Sequence, residues 1–178
     1  MAGMYSIRAA QWEAGDDADL CRVLMREYAA FLNAAVGGEH ICVESLEKEL
    51  AELPGAYADP CGTVLLAFGE DGPGGCVALK PVTIPDNKRE ERTCEMKRLW
   101  VRPRHQGTGL GRKLAEAVLD AARARGYTGM YLDTMPASMQ AAYGLYRSMG
   151  FVPVERYNDN PALRQTQALE IAWLRREL

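Results

Sequence analysis

The sequence is poor in the features that tie a chain to a membrane, a metal or a nucleic acid. No stretch approaches the roughly 18 consecutive apolar residues that a spanning helix needs. The N-terminus, MAGMYSIRAAQWEAGDD, has no apolar run and soon turns acidic, so a signal peptide is not expected. There are only 2 histidines. The cysteines (Cys21, Cys42, Cys61, Cys76, Cys94) are odd in number and widely spaced. None forms a C-x-x-C pair, and His40 with Cys42 is too small a set for zinc, so no metal is expected. The cysteines read as small buried hydrophobes in a reducing compartment. A net charge of −3 gives no reason to expect a nucleic-acid partner. These absences together predict a soluble, cytoplasmic protein that binds neither membrane nor nucleic acid.

What is present is ordinary in bulk. The 178 residues suit one domain spanning 1–178, with 48% apolar and 25% charged side chains. The charge is uneven, because residues 1–60 hold 11 acidic and 4 basic side chains, a net of −7, which leaves +4 for the rest. That bias would favour a cationic partner, or it serves only solubility. Hydrophobic periodicity predicts strands at 5–9, 63–68, 75–81, 93–101, 130–134, 151–154 and 168–174. Helices are predicted at 18–35, from Ser45 to Leu53, from the glycine-rich stretch to about Arg125, and at 138–149. Alternation of strands and helices in the second half points to an α/β fold, a mixed sheet with helices on its faces. Within TCEMKRLWV the apolar parity changes, from Cys94 and Met96 to Leu99 and Val101. That change predicts a β-bulge near Lys97 and Arg98.

The most informative stretch is QGTGLG, residues 106–111, followed by the helix-forming run RKLAEAVLDAARARG. Glycines at 107, 109 and 111 let a ligand reach bare main chain, and the helix start adds unpaired N–H groups and a positive dipole end. Such a site suits a phosphate or pyrophosphate. A dinucleotide fingerprint is excluded because the sixth position from Gly107 is Arg112. An NTPase loop is excluded because Leu114 follows Lys113. The spacing that does fit is Q/R-x-x-G-x-G/A, at Gln106, Gly109 and Gly111.

On these residues the chain resembles the GCN5-related N-acetyltransferase (GNAT) superfamily. EMKRLWVRPRHQGTGLGRKLAEAVLDAARARGY is similar to that family's fourth strand, pyrophosphate loop and third helix. AAYGLYRSMGFVPV is similar to its next helix and strand, with the A-x-x-L-Y-x-x-x-G-F pattern on Ala142, Leu145, Tyr146, Gly150 and Phe151. The resemblance covers roughly residues 93–155, about a third of the chain. It implies a single GNAT-like domain whose mostly antiparallel sheet splays between its fourth and fifth strands. It implies acetyl-CoA as co-substrate, with its pantetheine arm on the backbone of Leu99, Trp100 and Val101. The pyrophosphate would then lie on the amides of Gln106, Gly107, Thr108, Gly109, Leu110, Gly111 and Arg112. The activity implied is transfer of acetyl to a primary amine of a small molecule or peptide, by an acyltransferase that moves groups other than aminoacyl groups. A non-catalytic acyl-CoA sensor and a protein N-terminal acetyltransferase are the alternatives. Dimers are frequent in that family, so a homodimer is an open expectation.

The same resemblance makes Tyr146 the acid for the departing thiolate, with Tyr143 as fallback; spacing alone also fits a core tyrosine on one stripe with Met139 and Ala142. Glu95, eleven residues before Gln106, is the candidate base, or else a charged residue on a solvated strand face. Where many relatives carry an asparagine seven residues before the tyrosine, this chain has Met139. His105 reads as a solvated loop residue, or one that touches a CoA phosphate. Asp133 either faces the acceptor or serves a turn. Acceptor choice would fall to the first two helices and to the late loop, where Tyr157, Asn158 and Asn160-Pro161 form a polar turn.

Overall fold

Seven strands form one sheet in the order β1-β2-β3-β4-β5-β7-β6. The computed structural model describes residues 4–13, 15–35, 43–85, 91–158 and 170–178. The strands are β1 (Ser6–Ala9), β2 (Thr63–Gly69), β3 (Gly72–Pro81), β4 (Thr93–Val101), β5 (Gly129–Thr134), β6 (Val152–Pro153) and β7 (Ala172–Glu177). The helices are α1 (Asp17–Ala35), α2 (Val43–Ala51), α3 (Leu110–Ala124) and α4 (Gln140–Ser148). Every strand pair is antiparallel except β4–β5, which is parallel. Element types therefore follow the apolar periodicity throughout. The last strand starts later than expected, and Asn160-Pro161, Cys42 and His40 lie outside the described residues.

Helices cover both faces of the sheet because both faces are apolar. On one side Leu110, Leu114, Ala115 and Val118 of α3 pack on Val77, Leu79, Cys94 and Met96. On the other, Cys21, Leu24 and Met25 of α1 and Leu46 and Leu50 of α2 pack on Val64, Leu66, Ala78 and Trp100. Burial pushes the thiols of Cys21 and Cys94 up to about 12, so they pack as hydrophobes rather than react.

The expected bulge is present. Between β3 and β4 the register passes from Cys76↔Trp100 to Ala78↔Lys97, so β4 has one residue more than β3 across that step. Arg98 absorbs it with φ of 57°, the one non-glycine residue with positive φ among the described residues. The extra residue returns Leu99 and Val101 to the apolar face already occupied by Cys94 and Met96. β4 and β5 pair only over Thr93↔Gly129, Cys94↔Met130 and Glu95↔Tyr131, and then diverge.

Ion pairs fasten the first two helices to the sheet. Glu27 of α1 takes both arms of Arg102 at 3.0 and 2.7 Å and the Trp100 indole at 3.1 Å. Glu49 of α2 takes both arms of Arg98 at 3.1 and 3.0 Å. Asp17, at the start of α1, folds back onto Arg8 and the Gln11 amide. Arg8 holds the Asp17 carboxyl below its usual range, and Arg102 does the same for Glu27. Burial alone would raise Glu49, but Arg98 more than offsets it. A carboxylate with a depressed folded pKa adds stability that is present above its unfolded value and lost as pH falls through the folded one. The melting temperature should therefore be level above about pH 5 and fall progressively below about pH 4. Glu27→Gln should remove part of that acid dependence in a thermal-melt series, and an unchanged pH profile would show that the pair does not anchor α1.

Candidate active site

The divergence of β4 from β5 leaves the β5-facing edge of β4 without a strand partner beyond Glu95. Arg102 donates its N–H to Gly74 O on the β3 side, so by strand alternation Val101 and Leu99 present their amides to the gap. Val101 O on that edge is taken by Gln106 Nε2 at 3.0 Å. The Trp100 ring turns to the opposite face, against Phe31 and Tyr28.

The gap leads to the glycine-rich loop. Gly107 and Gly109 have φ of 76° and 85°, and an added Cβ at either would meet nothing within 4 Å. The backbone there faces an open cradle. Residues 106–109 form a turn, and the first helical bond of α3 runs from Lys113 N to Gly109 O, so the first N–H groups of the helix have no partner one turn back within it. Amides at such a helix start could hold an anion such as a pyrophosphate. The Gln106 N–H, expected among the binding amides, donates instead to Pro103 O in a 3-10 turn.

A directional chain of hydrogen bonds holds this loop. His105 is not a solvated loop residue but is buried, at 5% exposure. Gly74, lacking a side chain, lets the ring in: a Cβ there would lie 3.3 Å from it. Arg104 Nε donates to His105 Nε2 at 3.1 Å, which places the imidazole proton on Nδ1, facing Tyr5 OH at 3.1 Å. Tyr5 then has its own hydrogen for Thr108 Oγ1 at 3.2 Å, and Thr108 Oγ1 donates to His105 O at 2.6 Å. Tyr5→Phe removes the link between β1 and the loop while keeping the ring. One hydrogen bond contributes about 0.5–1.5 kcal/mol. Acetyl-CoA binding should weaken about 2–10-fold in calorimetry, with the melting temperature little changed. Equal affinities would show that the loop holds its shape without Tyr5.

At the inner end of the gap lies a cleft of about 380 Å³. Tyr146 of α4, Glu95 of β4 and Leu99 line it together, with Tyr28 of α1, Glu49 of α2, Lys80 of β3, Lys97, Arg98 and Asp133. Tyr143, the fallback acid, is not in the lining and packs into the α3-side core. Met139 lines the cleft in place of the family's asparagine. Burial raises the Tyr146 phenol well above its ordinary range, with small contributions from Tyr28 and Asp133.

Glu95 is not on a solvated strand face. It is 2% exposed and accepts hydrogen bonds from Tyr157 OH at 2.7 Å and Asn158 Nδ2 at 3.2 Å. The same Asn158 amide reaches Asp133 Oδ2 at 2.9 Å, and the Trp173 indole donates to its Oδ1 at 3.1 Å, fixing the amide's orientation. Asp133 thus faces the cleft rather than closing a turn. Of the late-loop residues, Asn158 lines the cleft, while Tyr157 lies buried and supports Glu95. The roles of Tyr28, Lys80 and Lys97 were not visible in the sequence. Tyr28 reads as one more position of the α1 apolar stripe, and a strand lysine reads as solvated.

Among the described residues, the acidic excess of the first 60 positions reaches this cleft only at Glu49. Glu27, Glu49 and Asp59 hold Arg102, Arg98 and Arg125 of the later chain. Of these only Glu49 lines the cleft, and its oxygens are already taken.

Residues 11–151 match the Acetyltransferase (GNAT) family. The chain belongs to that family. It is 35% identical over 146 residues to an uncharacterized N-acetyltransferase of Schizosaccharomyces pombe, covering 82% of each chain. It is 33% identical over 106 residues to N-acetyltransferase 8F1 of Rattus norvegicus, a match spanning 60% of this chain and 47% of the rat protein. The fold is shared with an acetyltransferase of Streptococcus agalactiae, at a TM-score of 0.70 and 19% identity over 98% of both chains. It is also shared with a putative acetyltransferase of Salmonella typhimurium solved with its cofactor acetyl-CoA, at 0.63 and 22% identity, covering 98% of this chain and 94% of that one.

Proposed function

We propose that the protein transfers acetyl from acetyl-CoA to a primary amine of a small molecule or peptide. The observation that carries this reading is the open glycine loop at the start of α3, which opens onto the same β4–β5 gap that leads to Tyr146. A CoA pyrophosphate fits the open cradle at Gly107 and Gly109, and the pantetheine arm fits the unpaired edge of β4 at Leu99 and Val101. The cofactor supplies the thioester. Tyr146 faces the cleft as a protonated phenol and donates a hydrogen bond to the sulfur. Because burial raises its pKa, it stabilises the developing thiolate more than it protonates it. Glu95 is the base, receiving the acceptor's proton directly or through water as the N–C bond forms and the C–S bond breaks. Val101 N–H, or its neighbour, stabilises the oxyanion.

The test is calorimetric titration with acetyl-CoA, then release of free CoA thiol across a panel of amines. Binding with amine-dependent thiol release supports the reading. Binding without release from any amine would make the protein an acyl-CoA sensor, and no binding at all would end the assignment.

A further inference from the structure

Among the described residues, the cleft wall carries three cations, Lys80, Lys97 and Arg98, and three carboxylates, Glu49, Glu95 and Asp133. The two sets are not equally available. Glu95 is engaged by Tyr157 and Asn158 and its side chain is 3% exposed. Asp133 is engaged by Asn158, and Glu49 by Arg98 and Tyr57. The lysines are held more loosely. Lys97 Nζ stands 3.6 Å from Glu95 Oε1 and 3.8 Å from Asp133 Oδ1, and Lys80 Nζ stands 3.4 Å from Glu95 Oε2. Neither ammonium makes a hydrogen bond to any described residue, and their side chains are 20% and 31% exposed. An ammonium has three N–H groups, so donors remain for a ligand.

We propose that the acceptor amine also bears an anionic group, and that Lys97 together with Lys80 holds that group in the cleft. This rests on the acetyltransferase reading and narrows it. Burial alone would lower the pKa of Lys97, but Asp133 and Glu95 raise it further, so the cation persists in the cleft. A purely cationic acceptor finds two ammonium groups in its path, and carboxylates of which Glu95 Oε1 and Asp133 Oδ2 are already taken by Tyr157 and Asn158. A compound with both groups satisfies each set, its amine toward Asp133 and Glu95 and its acid toward the lysines.

The experiment compares each of several amino acids with its own primary amide, measuring kcat/KM for acetylation by wild type, Lys97→Met, Lys97→Arg and Lys80→Met. An α-amine beside an amide titrates at about 7.7–8.0, lower than one beside a free carboxylate. More of the amide is therefore in the reactive form, and intrinsic chemistry favours it. A wild-type preference for the acid of tenfold or more must then come from the cleft. That preference should fall toward one in Lys97→Met, fall in part in Lys80→Met, and recover in Lys97→Arg. Melting curves of each variant control for folding, and the half-exposed Lys80 keeps the test open if Lys97→Met does not fold. Amides preferred by wild type, or a ratio that no lysine variant moves, would overturn the inference while leaving acetyl transfer intact. Thermal shifts with CoA plus acid or amide provide a readout independent of turnover. Acid-selective stabilisation that needs Lys97 supports the anion site even if nothing is acetylated, in which case the transferase reading is what fails. An aminophosphonate arm shows whether the anion is a carboxylate or a phosphate-like group.

Discussion

Gly109→Asp should abolish acetyl-CoA binding, with a loss of more than about 100-fold, which corresponds to roughly 2.7 kcal/mol. The residue is the N-cap of α3, has φ of 85°, and faces the open cradle. A carboxylate there places a negative charge at a helix start that otherwise presents a positive dipole end to the ligand. Aspartate tolerates left-handed backbone better than most residues do, and no atom lies within 4 Å of an added Cβ, so the fold should survive. Gly109→Asn separates charge from shape, because it is nearly isosteric and neutral. It should keep most of the affinity that the aspartate loses. If Gly109→Asp binds acetyl-CoA normally, the glycine loop is a structural turn and the pyrophosphate lies elsewhere.

Tyr146→Phe should lower kcat by about 10²-fold or more, with acetyl-CoA affinity unchanged. The phenylalanine keeps the edge-to-face contact with Phe151, whose ring centroid lies 5.8 Å away, so packing is preserved. Only the O–H is lost from the cleft. The pH dependence follows from the raised phenol: a group whose pKa lies above its ordinary value near 10 stays protonated across the working range. Wild-type kcat should therefore show no alkaline loss from Tyr146 below about pH 10. A phenylalanine variant within threefold of wild type would remove Tyr146 from the chemistry.

The two features behind these predictions differ in how visible they are in the sequence. The candidate anion loop is legible because such a site would depend on side chains being absent, and glycine at 107, 109 and 111 is that absence written directly. The splay was legible through the parity change in TCEMKRLWV, since one extra residue must move the apolar positions to the other alternation. Its consequence at Arg98 was not. A left-handed arginine is not written in composition, and its partner Glu49 lies forty-nine positions earlier. The cleft wall was least legible. Tyr28, Lys80, Lys97, Asp133 and Asn158 come from separate elements, and only strand register and helix placement bring them together. His105 failed for a related reason, because its burial depends on the missing side chain at Gly74, thirty-one positions away in the chain.

The ion pairs between Glu27 and Arg102, Glu49 and Arg98, and Asp59 and Arg125 also bear on how such a protein changes over generations. The first 60 residues, with their net −7, meet the rest of the chain, with its net +4, partly through these fixed charge contacts. The early helices could therefore be exchanged only as a unit whose inner face carries both the carboxylates that meet Arg98 and Arg102 and the apolar residues that pack on the sheet.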